Sequence, residues 1–208
     1  MAHIELHTPI SEAAIRALHV GDQVSLHGMA VTARDAAHKY IMENFIRPPA
    51  VPASEQALHA ELQRLWRGGV MYHCGPVVRQ DDAGRWHFVS AGPTTSIREE
   101  PYEADVIAHF GLRAVIGKGG MGPKTLAACR EHGAVYLHAV GGAATLIASS
   151  VQEVTAVYKK EALGVPEAFW VIRVAGFPAV VTMDAHGQSL HERIAEGSAQ
   201  RLAALMAR

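Results

Sequence analysis

The sequence predicts an α/β domain in which an antiparallel β layer packs on a parallel sheet covered by helices. Short β-rich runs lie between residues 70 and 91, and the turn DDAG separates two of them, which predicts the antiparallel layer. Beyond Pro101, helical and β-rich segments alternate, and this βαβ order predicts parallel strands. With 208 residues, 49% of them hydrophobic, the chain is long enough to bury one compact core.

Capping residues and alternation predict the elements of the N-terminal half. Ser11 is expected to cap a short helix over residues 12–18, and Asp35 a second helix over residues 36–45. Between them, the alternating runs QVSLHG and MAVTA predict two strands after Gly21.

A proline-rich stretch then interrupts the pattern. Residues 47–54, RPPAVPAS, contain three prolines and predict a loop, after which Ser54 would cap a helix that ends at Gly68-Gly69. We interpret residues 48–69 as an inserted loop and helix within a single domain that spans residues 1–208.

The C-terminal half carries the βαβ order. We expect helices over 103–110 and 123–132, strands over 112–117, 134–140, 169–176 and 178–185, a helical stretch after residue 143, and a C-terminal helix from Ser189. Glycine-rich loops follow the first two of these strands.

Charge and cysteine usage exclude several classes of function. The net charge of -1 and the pI near 6.9 give no general attraction to nucleic acid or anionic lipid. No apolar run approaches the roughly 20 residues of a membrane span, so we expect a cytoplasmic protein. Cys74 and Cys129 lie far apart without a CxxC spacing, and the thirteen histidines form no HExxH pair. We therefore expect no metal site within this chain.

The segment GPTTSIR, residues 92–98, is a candidate anion site. It follows a strand and precedes a helix, so its amides and hydroxyls would gather where anions are favoured, and Arg98 adds a planar fork suited to a carboxylate. The competing interpretation is a plain turn in which Thr94, Thr95 and Ser96 serve only as caps.

The loop GKGGMG, residues 117–122, also lies between a β run and a helix. The backbone at Gly117, Gly119 and Gly120 could approach an anion closely, and Lys118 would add a charge. The order of a Walker A loop is absent, and the acidic ribose partner of a dinucleotide fingerprint is missing. A structural glycine turn is an equal alternative.

Two further positions carry weaker signals. Arg34 lies at a strand end and could reach the same pocket, or could pair with Asp35 at the surface. His38, one turn later, is expected to pack or to orient a neighbour. Asp184 and His186 could form a general base, but we favour a structural role for them.

The motifs ARDAAH, GPTTSIR, IGKGGMG and VGGAA, followed by PEAFWVIRV and FPAVVTMDAHG, occur in the order found in the C-terminal half of class I fumarases and in the beta subunit of L-tartrate dehydratase. The chain resembles this iron-sulfur hydro-lyase family from about Gly21 to about Leu190. The combination of GPTTS, a following arginine and GKGGM is specific. Ile97 and Glu99 depart from the family pattern, in which methionines are common at these places.

The resemblance implies a swivelling β/β/α domain that acts as the beta subunit of a two-subunit enzyme. Its reaction would be the reversible hydration or dehydration of a short dicarboxylate, with fumarate, tartrate and mesaconate all open as substrates. A cluster-bearing alpha subunit would hold the [4Fe-4S] cluster, in a heterotetramer. The residues implied to line the substrate pocket are Arg34, Thr94, Thr95, Arg98 and Lys118, with Thr94 and Lys118 in catalysis.

Two other classes of function compete with this one. A stand-alone carboxylate-binding or regulatory module would bind its ligand without a partner. A nucleotide-binding enzyme would use the GKGGMG loop, although the missing acidic residue disfavours it.

Overall fold

The computed structural model describes residues 3–207, in which nine strands and eight α-helices follow one another. The strands are β1 (His3–His7), β2 (Gln23–Thr32), β3 (Val70–Tyr72), β4 (Val77–Gln80), β5 (Trp86–Ser90), β6 (Ala114–Gly117), β7 (Val135–His138), β8 (Val151–Tyr158) and β9 (Phe169–Met183). The helices are α1 (Glu12–Arg16), α2 (Asp35–Ile41), α3 (Gln56–Trp66), α4 (Glu103–Phe110), α5 (Pro123–His132), α6 (Ala144–Ser149), α7 (Lys160–Leu163) and α8 (Leu190–Met206). A π-helical turn (Met42–Ile46) extends α2, and 3-10 turns span Ala53–Glu55 and Ser96–Glu99.

Seven strands form one mixed sheet that closes on itself. Strands β2, β3, β6 and β7 pair in parallel in that order, and β9 pairs antiparallel with both β7 and β2, which completes the ring. Strand β1 pairs in parallel with β2, and β8 pairs antiparallel with β9. The hairpin of β4 and β5 forms a separate small antiparallel sheet. The predicted α/β class, with parallel strands, an antiparallel layer and helices, is confirmed at this level.

The two longest strands each join a pair of predicted strands. Strand β2 runs through the predicted break between QVSLHG and MAVTA, and β9 runs through the break near Gly176. Where they pair, Leu26 faces Phe177 and Gly28 faces Val174, so β9 holds one more residue than β2 across this step. The glycines therefore mark a bulge and not a chain reversal, and the prediction of separate strands was wrong.

Alternate residues of the sheet face two apolar cores. Val70, Tyr72 and Ile116 point into the ring, whereas Met71 and Val115 point outward beneath α2 to α5. Helix α3 contributes to the outer core with four buried residues, Leu58, Leu62, Leu65 and Trp66. Strand β3 pairs in parallel with β2 and β6, so the expectation that all the β-rich runs between residues 70 and 91 form the antiparallel layer was wrong.

The helix starts follow the predicted capping only in part. Ser11 and Ser189 accept hydrogen bonds from Ala14 N and Glu192 N and cap α1 and α8, as predicted. Asp35 is instead the first residue of α2, and Ser54 lies in the 3-10 turn before α3. Strands β1 and β8 were not predicted. Among residues 3–207, no helix has the length and apolar character needed to cross a membrane.

Candidate active site

The candidate site lies where three parallel strands end. Arg34 follows β2, His73 follows β3 and Lys118 follows β6. Because β2, β3 and β6 pair in parallel, their carboxyl ends meet at the same edge of the sheet. Ligands of α/β sheets bind characteristically outside this edge.

The GPTTS segment is inserted between two of these strand ends. Thr94 N donates to the carbonyl of His73 (2.7 Å), Lys118 N donates to Thr94 O (3.2 Å), and Ser96 N donates to Lys118 O (3.0 Å). Thr95 thereby forms a parallel bridge with Lys118. The structure thus brings together Thr94, Thr95 and Lys118, which the sequence assigned to one pocket from two separate loops.

Arg34 and Arg98 meet around one carboxylate. Arg98 Nη2 lies 2.5 Å from Asp35 Oδ2, and Arg34 Nη2 lies 4.0 Å from the same oxygen. Arg34 Nε also lies 3.4 Å from Glu167 Oε1, and Glu167 Oε2 accepts a hydrogen bond from Ala36 N (3.0 Å). Glu167 therefore both holds the Arg34 guanidinium and caps α2, the role predicted for Asp35.

Lys118 is the cation of the site that lacks an acidic partner. Within residues 3–207 its ammonium forms no salt bridge, and its side chain is half-buried beside Gly141. Gly119, at a φ of +82°, carries the chain past the Thr95 methyl group. A half-buried, unpaired ammonium is suited to receive an anion, because part of its hydration is already lost.

The helix N-terminus behind the GKGGMG loop is already capped by the protein. Glu100 accepts hydrogen bonds from Gly122 N (2.7 Å), Lys124 N (2.9 Å) and Thr125 N (3.3 Å), and from Thr125 Oγ1 (2.7 Å). The amides at which a phosphate would bind in a nucleotide site are therefore occupied. This observation removes the physical basis of the nucleotide-binding alternative.

Five fully buried polar side chains form a continuous chain behind the loops. His38 and His73 each place Nε2 2.9 Å from Glu103 Oε2. His73 Nδ1 lies 2.9 Å from Ser96 Oγ, and the Tyr136 hydroxyl donates to the same oxygen at 2.8 Å. At one end His38 Nδ1 lies 2.9 Å from the Arg34 carbonyl, and at the other end the chain stops at the Tyr136 hydroxyl.

Among these five hydrogen-bonded side chains, the charge is concentrated on His38 and Glu103. Burial alone would lower the pKa of His38, but the carboxylates of Glu103 and Glu99 outweigh it and raise that pKa from 6.5 to about 9. Burial would raise the pKa of Glu103, but the two imidazoles lower it to about 2. Burial lowers the pKa of His73, so this ring is neutral at pH 7. His38 and Glu103 thus form a buried ion pair.

Glu99 lies at the edge of this ion pair. Its carboxylate is fully buried, 3.5 Å from His38 Nδ1, and neither oxygen has a hydrogen-bond partner among residues 3–207. Burial raises the pKa of Glu99 to about 7, against the attraction of the His38 cation. The position that departs from the family's methionine thus places a titratable group beside Arg98.

The chain offers poor ligands for a metal. Cys74 and Cys129 are fully buried, and burial raises both thiol pKa values, that of Cys74 to about 12. His38, His73 and Glu103 bring three potential ligand atoms within 4.8 Å of one another. Their 2.9 Å separations are those of hydrogen bonds, and both remaining ring nitrogens already have partners.

Asp184 and His186 have structural roles, as the sequence favoured. Asp184 accepts hydrogen bonds from the amides of Val20, His186 and Gln188, and so fixes the turn after β9. His186 stacks on His19 and contacts the Arg16 carbonyl.

Comparison with known proteins identifies the family. The model of a family described as "Fumarase C-terminus" matches residues 1–194. The chain belongs to the fumarase C-terminal family. It is 49% identical over 199 residues to a putative fumarate hydratase class I of Geobacillus stearothermophilus, covering 96% of this chain and 35% of that protein. It is 37% identical to the L(+)-tartrate dehydratase subunit beta of Escherichia coli K12, covering 89% of this chain and 85% of that subunit. A putative L(+)-tartrate dehydratase subunit beta of Methanocaldococcus jannaschii is 38% identical, with 89% of each chain covered.

The fumarase C-terminal match contains every predicted site residue, and the chain spans about a third of the longer relative. Five residues behind the site were not indicated by the sequence, namely His73, Glu100, Glu103, Tyr136 and Glu167. Ser96 was named only as a possible cap and Glu99 only as a departure from the family pattern. His38 carried a signal, since it lies one helical turn after Arg34 and was expected to pack or to orient a neighbour.

Proposed function

We propose that this chain is the beta subunit of a two-subunit [4Fe-4S] hydro-lyase that reversibly hydrates or dehydrates a short dicarboxylate, of the fumarate/malate or L-tartrate/oxaloacetate type. The observation that carries the proposal is the meeting of the GPTTS and GKGGM segments through Thr95 and Lys118, at the same sheet edge as Arg34. The names of the relatives, a class I fumarate hydratase and L(+)-tartrate dehydratase beta subunits, support the reaction class.

Arg34, Thr94, Thr95, Arg98 and Lys118 would bind the substrate. A dicarboxylate brings two charges out of water, which costs several kcal/mol per ion unless each charge is paired and hydrogen-bonded. Two guanidinium groups that now share the Asp35 carboxylate, and an ammonium without an acidic partner among residues 3–207, are suited to pair them.

Thr94 and Lys118 would serve the chemistry. Removal of a proton beside a carboxylate builds charge on its oxygens, and a preorganised donor is worth about 2.7–4 kcal/mol at such a site. Lys118 would stabilise that charge. Thr94 would transfer the proton, and because a hydroxyl is a weak base, its activating group would come from the partner.

The [4Fe-4S] cluster would belong to a cluster-bearing alpha subunit. This chain has two cysteines, both buried as thiols, so it cannot supply a cluster cage. An open iron site would provide a Lewis acid for the departing hydroxyl. The active site would therefore form at the interface of a cytoplasmic heterotetramer.

We also propose that residues 1–208 form one swivelling β/β/α domain and that residues 48–69 are an insertion. The closed ring of strands, the separate hairpin and the helices outside the ring support the former. The packing of α3 in the outer core supports an insertion that is integrated into the fold.

The test is anaerobic co-expression with a candidate cluster-bearing partner. Dehydration of malate, citramalate and both tartrate enantiomers is assayed for the pair and for this chain alone. Activity in the pair only is expected. Lys118→Ala and Arg98→Ala should abolish turnover in a folded, assembled enzyme, whereas the exposed Lys124→Ala and Arg79→Ala should retain it.

Two outcomes would contradict the proposal. Near-normal turnover of either site variant would exclude the pocket assignment. An intact cluster and a stable complex without turnover, together with carboxylate binding by this chain alone, would favour the stand-alone binding module.

A further inference from the structure

A buried chain of hydrogen bonds connects the three loops of the proposed site. It comprises the side chains of His38, Glu103, His73, Ser96 and Tyr136, each with 0% of its surface exposed. One end bonds the Arg34 carbonyl, and the other end is the Tyr136 hydroxyl, which bonds Ser96 Oγ. The middle member, Ser96, also bonds the Lys118 carbonyl through its own amide.

The proton positions along the chain follow from its partners. Glu103 can only accept, so both histidines donate from Nε2, and His38 also donates from Nδ1 to the Arg34 carbonyl. Since His73 is neutral, its Nδ1 accepts from the Ser96 hydroxyl, which in turn accepts from Tyr136. Each donor therefore has one acceptor, and the direction of the whole chain is fixed.

We propose that these five residues form a positioning network that fixes Arg34, the Thr94–Thr95 segment and the Lys118 loop relative to one another. The inference rests on the proposed function for the identity of the substrate, whereas the geometry of the network does not depend on that function. Buried hydrogen bonds of this kind hold their partners in place, because each is strong in a medium of low dielectric and an unmade bond there is costly. Within residues 3–207 one buried oxygen of the network, Glu103 Oε1, has no partner. His38 bonds the Arg34 carbonyl, and the main chains of His73 and Ser96 bond Thr94 N and Lys118 O, so the network joins the three loops.

A polar cluster that only packed the core would not need hydrogen bonds to the loops of the proposed site. A polar cluster that serves only core stability could satisfy its donors within itself or with neighbouring strands. This one bonds the loop after β2 through His38, the segment after β5 through His73, and the loop after β6 through the Ser96 amide. Gly117 also approaches it so closely that an added Cβ would lie 1.8 Å from Ser96 Oγ.

The experiment compares three network variants of the assembled enzyme with one control variant. Tyr136→Phe and Glu103→Gln each break the network, and the double variant breaks it twice. Tyr40→Phe is the control, because its hydroxyl also donates to a carboxylate, that of Glu55, outside the network. Tyr136→Phe should lower kcat/KM for the dicarboxylate about tenfold, the effect of one lost buried hydrogen bond. The double variant should lose no more than the worse single variant, whereas Tyr40→Phe should retain kcat/KM.

A second readout does not depend on turnover. Amide hydrogen exchange at Ser96 and Lys118, whose amides bond the neighbouring loop, should accelerate in Tyr136→Phe and remain unchanged in Tyr40→Phe. Unchanged exchange at these amides, or losses that add in the double variant, would overturn the network. If the wild-type pair shows no hydro-lyase activity, the proposed function fails while the exchange experiment still decides this inference.

Discussion

Gly75 lies so close to Arg34 that a substitution at Gly75 would displace the arginine side chain and leave residue 34 unchanged. Gly75 follows β3, and a Cβ built on it would lie 2.3 Å from Arg34 Nη1 and 2.9 Å from Arg34 Cδ. It would also lie 2.9 Å from the carbonyl oxygen of Pro166, which belongs to the main chain and cannot easily move. In Gly75→Ala the guanidinium therefore has to shift, and the remaining contact with the Pro166 carbonyl oxygen adds a separate cost in stability.

The size of the effect follows from what Arg34 contributes. A hydrogen bond to a charged group is worth about 1.5–3 kcal/mol, which corresponds to roughly a 10- to 150-fold change in affinity. We expect kcat/KM of the assembled enzyme to fall within this range, chiefly through KM. The added methyl group should also destabilise the fold by about 1–3 kcal/mol, because the site has no room for it.

Saturation kinetics and thermal unfolding together test this expectation. Gly197→Ala is the matched control, since a Cβ on that residue of α8 meets nothing within 4 Å. If Gly75→Ala unfolds, Arg34→Lys takes its place in the test. This variant keeps the charge but loses the planar fork, and should show a comparable loss of kcat/KM. A folded, assembled Gly75→Ala enzyme with unchanged kcat/KM would refute the assignment of Arg34 to the substrate pocket.

Two further predictions concern stability. The pKa of His38 is raised from 6.5 to about 9, so its contribution is fully present below pH 6.5 and is lost as the pH rises toward 9. At about 1.4 kcal/mol per pKa unit, urea unfolding should show a decline of roughly 3 kcal/mol across this window, and His38→Gln should flatten it. Glu100→Gln should lower the free energy of unfolding by about 1–2 kcal/mol through loss of the α5 cap, whereas Glu131→Gln on the exposed face of α5 should change it little. A pH-independent stability, or equal effects of the two glutamine variants, would contradict these assignments.

Local signals determined which elements were predictable. Helices α4 and α5 have the predicted bounds, because apolar periodicity and the glycines at residues 111 and 133 define their length and their ends. The hairpin of β4 and β5 was equally clear from its DDAG turn. Strands β2 and β9 were divided in the prediction because glycine in a β run resembles a turn, and only the pairing partner distinguishes a bulge from a break.

The site was predictable where motifs carried it and not where tertiary contacts created it. Lys118 and Thr94 were assigned to one pocket from motifs, and the structure brings them together. Glu167, by contrast, caps a helix 131 positions away, and nothing in its local sequence indicates this partner. The pairing of His73 with Glu103 likewise could not be predicted, since a buried histidine and a buried glutamate have no sequence signature of pairing.

The occupied helix N-termini indicate what kind of ligand the site can accept. Glu167 bonds an amide of α2 and Glu100 bonds the first turn of α5, so the chain's own carboxylates satisfy backbone donors that would otherwise attract an anion. A phosphate-bearing ligand would have to displace a glutamate at either place. Arg34 and Arg98 are also paired with carboxylates, those of Asp35 and Glu167, but these ion pairs join side chains that can rearrange. We therefore expect an anionic ligand such as the proposed dicarboxylate to bind through the side chains of Arg34, Arg98 and Lys118, and not through a helix N-terminus.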